Sequence, residues 1–358
     1  MAILRSASFA GIILKPPVKS LARSQCVVRA TISDEHFRRP SGLVSDHHMS
    51  VMYFPDDPAA GHRWGKQRFA CASAVGMLED FDMSFFPFRD RAVVCDACNG
   101  LLLFSLGGTR LFVVNPVTRQ WEALPPPPSN NTLLSKLAYN PSTSPRHFYV
   151  LNFFGFRAYA AHEVFSSETG AWATYDDDVK NSFFDAAFNC GDTHIHGGSV
   201  YLLGSDSDTV VRVDIASGEA TVFKLPEPLR MDHESRVGHY GGRLHYVTRD
   251  RGERVIKVWV HEEEDQSSWR LKHAVEVDDV VAKAGGCTGG GKISFVALHP
   301  EKDAAYLWLP PKVVQYDLAK KEVTGAWELA GKADHKNPVV VNAWLVPSSL
   351  YLYGTGEV

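Results

Sequence analysis

Short apolar runs, each broken by a glycine, a proline or an Asx-type turn, recur along almost the whole chain. One unit begins at 98 and reads CNGLLLFSLGGTRLFVVNPVTRQW. An apolar strand opens it, a second strand follows, then a turn, then a tryptophan. Residues 115–121 (NPVTRQW) and 166–172 (SSETGAW) are two copies of the closing phrase. Residues 214–220 (DIASGEA) are a third, with Thr221 in the tryptophan slot; a weaker copy ends at Trp269, and 316–321 (YDLAKK) is a fifth. The spacing between copies is about 50 residues, and nothing in the units carries a long helical period. Strands are predicted at 93–95, 100–105 and 109–114, at 136–139, 148–154 and 160–165, and at 293–298, 304–309, 313–316 and 323–329.

A sheet of this size cannot bury both faces alone, so the units must stack radially. The pattern therefore predicts an all-β fold, a six-bladed kelch-like β-propeller. Five units are visible. Strand-like stretches at 50–53, 67–72, 338–345 and 349–353 are left over at the two ends, and pairing them would make the sixth blade and close the ring. Asp or Asn at the start of each turn phrase can accept hydrogen bonds from amides two and three residues on, while a later Gly, Arg or Lys takes the left-handed corner. Double glycines stand before apolar strands at Gly197-Gly198 and Gly241-Gly242, 44 residues apart. Crowding between converging blades is the reason expected for them. Trp121 and Trp172 are expected to fill the wedges between blades.

Residues 9–39 (FAGIILKPPVKSLARSQCVVRATISDEHFRR) resemble the F-box of plant F-box proteins. The likeness is close at 17–23 (PVKSLAR), Cys26-Val27, 32–34 and His36-Phe37. The phrases at 98–102, 115–128, 137–150 and 163–172 resemble the propeller that follows the F-box in such proteins. The resemblance divides the chain into a short α-helical, degenerate F-box segment, 1–45, and a propeller, 46–358. It implies a non-enzymatic role: the substrate-recognition subunit of an SCF-type ubiquitin ligase, with a Skp-type adaptor and a cullin as partners. Adaptor contact would fall on Pro17, Val18, Leu21, Cys26 and Val27, and the propeller would hold a target protein through residues the sequence does not name. Departures from the family pattern make the segment degenerate. Arg5, Ser6, Ala7 and Gly11 stand at its acidic and proline positions, Pro16 replaces a leucine, and a gap after Ala30 removes three residues including its tryptophan. The alternative is an adaptor-independent propeller scaffold whose F-box has decayed.

Composition bears on partners and place. The formal charge of -4 gives no electrostatic case for nucleic acid or an anionic membrane. No apolar run has the length of a membrane span. The six cysteines (26, 71, 95, 98, 190, 287) have no disulfide-framework spacing, which suits reduced thiols in the cytoplasm or nucleus. The acid-free composition of 1–33 also suits a plastid transit peptide, a reading that leaves the order of residues unexplained.

Several motifs mimic chemistry. Cys95-Asp96-Ala97-Cys98 is a lone CxxC; His194-Ile195-His196 could complete a zinc set, but strand alternation explains it equally well. Residues 286–292 (GCTGGGK) imitate a phosphate loop but lack the hydroxyl after the lysine and the following helix. The acidic runs 176–178 and 262–265 read as solvated turns. No catalytic set, metal or cofactor is expected. Loops at 155–159, 205–208, 249–254 and 285–291 are the candidates for holding a target.

Overall fold

The apolar runs form antiparallel meanders, each strand hydrogen-bonded to the next. The computed structural model describes residues 47–54, 68–72, 76–80, 82–116, 118–129, 134–140, 144, 146–156, 159–176, 190–204, 208–227, 234–249, 254–262, 268–285, 293–329 and 339–347. Three early strands are β1 (His47–Phe54), β2 (Arg68–Ala72) and β3 (Met77–Asp80). The first four-stranded sheet is β4 (Val93–Cys98), β5 (Leu101–Leu106), β6 (Arg110–Asn115) and β7 (Gln120–Ala123). The second is β8 (Leu134–Ala138), β9 (Tyr149–Phe156), β10 (Tyr159–Ser166) and β11 (Ala171–Asp176). The third is β12 (Cys190–His196), β13 (Ser199–Gly204), β14 (Thr209–Asp214) and β15 (Ala220–Lys224). The fourth is β16 (Glu234–Tyr240), β17 (Arg243–Arg249), β18 (Val255–His261) and β19 (Trp269–Glu276). A seven-residue helix, α1 (Val277–Lys283), follows; it is the only helix among the described residues.

The remaining strands correct the blade count. β20 (Ser294–Leu298), β21 (Ala304–Leu309), β22 (Lys312–Asp317) and β23 (Glu322–Leu329) share one eight-stranded sheet with β3, β2, β1 and β24 (Val339–Pro347), in that order. The propeller therefore has five blades, not six. Parallel pairing of β23 with β3 joins the two sets, with Glu328 opposite Met77 and Leu329 opposite Leu78. Gly76, at φ +79°, makes the turn that presents this edge, and its carbonyl accepts the Glu328 amide at 2.9 Å. The first and last described strands do meet, since β1 and β24 pair antiparallel over eight residue pairs. The expected helical F-box segment, 1–45, lies outside the described residues.

Apolar side chains gather between consecutive sheets, where radial stacking puts them. Leu103, Val113, Leu137, Val150 and Phe165 fill the first wedge. Leu151, Phe153, Val200 and Val211 fill the second, and Leu203, Phe223, Val237 and Tyr246 the third. Val247, Ile256, Val258, Leu307, Val314 and Tyr316 join the fourth sheet to the eight-stranded one. Each such side chain removed from water contributes about 1.5–3 kcal/mol before chain entropy is charged against it.

The turn phrases behave as their chemistry dictates. Asn115 Oδ1 accepts the Thr118 amide at 3.1 Å, and Asp317 Oδ1 the Lys320 amide at 2.8 Å. Asp214 Oδ1 accepts the amides of Ala216 and Ser217 at 3.0 and 2.9 Å. The left-handed corners fall on Arg119, Gly170, Gly218 and Lys321. The double glycines have a different cause from the one expected. Among the described residues, an added Cβ at Gly197, Gly198, Gly241 or Gly242 would meet nothing within 4 Å, so crowding is not the reason. All four have positive φ, between +57° and +78°, which a two-residue hairpin of the primed type demands.

The two tryptophans part company. Trp172 lies against the first wedge, its ring 5.4 Å from Phe165, and its indole N–H donates to the Pro125 carbonyl at 3.0 Å. Trp269 repeats the device two sheets along, between the third and fourth, donating to the Lys224 carbonyl at 2.7 Å. Trp121 does not fill a wedge. It sits on the outer strand β7, 39% exposed, with Phe86, Phe88 and Phe112 edge-on at 5.8–6.0 Å. Trp172→Phe removes the stitch between the first two sheets and is expected to cost at least about 1 kcal/mol in urea unfolding. No change in midpoint would mean the indole bond holds nothing.

Candidate functional site

The first strand of each sheet is the one that faces its counterparts. β4 lies beside β8, β12 beside β16, β16 beside β20, and β20 beside β24. Loops at this end and side chains along these strands enclose a cleft of about 190 Å³. Asp96 and Cys98 enter it from β4, His194 from β12, Arg236 and His239 from β16, and Leu298 from β20. The volume falls below the 300 Å³ at which small-molecule pockets usually begin.

On the β4 side the chemistry is structural. A register shift between Val94 and Asp96 sets the strand so that the Asp96 carboxylate accepts the Leu137 amide of β8 at 2.8 Å. The Lys136 ammonium lies 3.7 Å from the other carboxylate oxygen. Burial raises the Asp96 pKa above the usual range, and Lys136 works against that rise. Cys98 donates its S–H to the Tyr139 carbonyl at 3.4 Å. Burial pushes the Cys98 thiol up to about 12 and the Cys95 thiol up to about 11, so both are protonated at neutral pH. The CxxC cysteines thus pack against the first wedge as small apolar residues.

The β12–β16 side carries imidazoles. His196 and His239 stack with ring centroids 3.9 Å apart, and His194 lies 5.1 Å from His239. Tyr201 closes the group, 4.8 Å from His239. Burial drives the pKa of His194 down to about 4. Burial, then the neighbouring imidazoles, takes His239 down to about 2. Burial lowers His196 as well. All three rings are neutral at pH 7. The HxH pair is visible in sequence, whereas its partner His239 is not; the one signal is that it lies 45 residues, about one repeat, beyond His194.

Other residues singled out by sequence are not brought together here. Pro17, Val18, Leu21, Cys26 and Val27 lie outside the described residues, as do 286–292 and most of the four candidate target loops. Glu262, the first of its acidic run, is not a bare solvated turn: it accepts from Arg243 and Arg270, both at 2.9 Å.

Sheets stacked radially around inner strands, with a small cleft among them, define a β-propeller. A family model described as the F-box associated beta propeller domain matches residues 65–339, most of the chain. The chain belongs to that family, whose fold is typical of non-catalytic interaction proteins. No curated protein matches it in sequence. Among solved structures it resembles a chain of the nidogen/laminin complex, at TM-score 0.49 and 9% identity, covering 84% of this chain and 99% of that one. It also resembles the Cps50 (Swd1) propeller of Myceliophteria thermophila, at TM-score 0.38 and 10% identity, covering 75% and 81%. A third likeness is to the WD40 domain of SCAP from fission yeast, at TM-score 0.38 and 11% identity, covering 64% and 50%. At these scores the three likenesses carry no argument for this chain.

Proposed function

We propose that this chain is the substrate-recognition subunit of an SCF-type ubiquitin ligase, of the kind formed by plant F-box proteins. The observation that carries this reading is the family match over 65–339, preceded by the F-box-like phrase at 17–23. The propeller holds a target protein, and Pro17, Val18, Leu21, Cys26 and Val27 dock on a Skp-type adaptor that links to a cullin. The chain transfers no ubiquitin; it acts by proximity, in the cytoplasm or nucleus. Burial of Val18 and Leu21 against the adaptor would contribute about 1.5–3 kcal/mol each. The missing tryptophan removes a comparable share, because aromatic anchors often dominate an interface. Binding to purified adaptor is therefore weaker than that of an intact F-box. Leu21→Asp abolishes it, and restoring a tryptophan-containing turn after Ala30 strengthens it.

The three-residue gap favours a second reading, an adaptor-independent propeller scaffold. If the wild-type chain binds no adaptor and the restored version gains none, the ligase role fails and the scaffold role replaces it.

A further inference from the structure

We propose that His194, His196 and His239 form a binding site for a zinc-type transition-metal ion, joining β12 to β16. The ligase reading is not needed for it. His194 and His196 stand two apart on one strand and so share a face, and His239 arrives from the neighbouring inner strand. One ligand nitrogen from each ring lies within 4.8 Å of the other two. A metal at 2.0–2.1 Å from each needs nitrogens roughly 3.3 Å apart. To hold the ion, His196 and His239 must rotate out of their present stack.

A second observation points to a ligand. Among the described residues, the buried Nε2 of His194 and Nδ1 of His239 have no hydrogen-bond partner. Buried polar atoms seldom stand unmet, because the lost water costs free energy that nothing returns. A metal ion supplies a partner to both lone pairs at once. Imidazole suits zinc, copper and nickel ahead of calcium or magnesium. His196 is exposed while His239 is buried, so the ion has a path from solvent and a fourth position for water. The ligands bring no charge, and the Arg212 cation acts on His239 from nearby. Binding is accordingly micromolar, weaker than in a thiolate site.

The test uses the full chain, freed of metal with a chelator and titrated calorimetrically with zinc sulfate. One equivalent should bind at micromolar concentration and raise the melting temperature. His196→Ala, at the exposed ligand, should leave the metal-free chain folded with a cooperative melt and weaken binding more than about 100-fold, since even losing a residue that only orients a ligand costs 10–100-fold. Cobalt(II) reads the same site with no variant at all: the wild-type chain should give the visible absorption of a tetrahedral, nitrogen-rich ion. No zinc uptake, unchanged affinity in His196→Ala, or a cobalt spectrum of the octahedral aqua type would each overturn the proposal.

Discussion

Removal of residues 338–358 is expected to leave a chain that is insoluble or molten, without a cooperative melt. The deletion takes away β24, which pairs with β1 over eight residue pairs and lies beside β20. Two flanks open at once: the backbone edge of β1 loses its partner, and β20 loses its neighbour. An exposed edge invites pairing with other chains. The loss does not stay local, because four of the apolar clusters are each shared by consecutive sheets. Size-exclusion chromatography and near-ultraviolet circular dichroism distinguish the outcomes. A soluble monomer that melts cooperatively would show that terminal pairing is dispensable.

The second large effect is expected at Lys136. Its ammonium and the Asp96 carboxylate are both largely buried, 13% and 9% exposed, and link the first two sheets at their inner strands. Lys136→Met keeps the apolar stem and deletes the charge, leaving Asp96 buried without a cation. Breaking a buried pair from one side costs roughly 3–5 kcal/mol. The pH dependence has a definite sign. The Asp96 pKa is already raised in the folded chain, so the folded state holds this proton at pH values where the unfolded state has released it. The contribution of Asp96 to stability therefore falls as pH rises from the unfolded value through the folded one. Without Lys136 the folded value climbs further and the window widens. The penalty should be largest at pH 7 and shrink as the pH is lowered toward 5. Urea midpoints for wild type and variant at both pH values check this; a small, pH-independent penalty would contradict it.

Much of the strand pattern was legible, because alternation and turn chemistry are local. The prediction of 304–309 coincides with β21, and that of 323–329 differs from β23 by one residue. The Asx phrases forecast both the amide acceptors and the left-handed corners, since a side chain two residues from an amide needs no tertiary contact to reach it. What failed was set by distance. Two parallel residue pairs between β23 and β3, about 250 residues apart in sequence, decide how the eight strands join, and no local pattern encodes them. α1 is not legible in the sequence, because Val277 and Val280 give it a buried face over only seven residues, in β-branched side chains that favour strands. Trp121 followed the same phrase as Trp172 but landed on an exposed outer strand, where its position depends on Phe86 and Phe88 from outside the repeat. The imidazole cluster was half visible: the HxH pair lies on one strand, while His239 joins it only through the packing of β12 against β16.

Affinity capture with the full chain, compared with a chain lacking residues 1–40, tests the ligase role most directly. The full chain should bring down a Skp-type adaptor and a cullin, the shortened chain should lose both, and proteins held by the propeller should appear with either. Adaptor and cullin absent from both captures, with the propeller-held proteins retained, would contradict the ligase role.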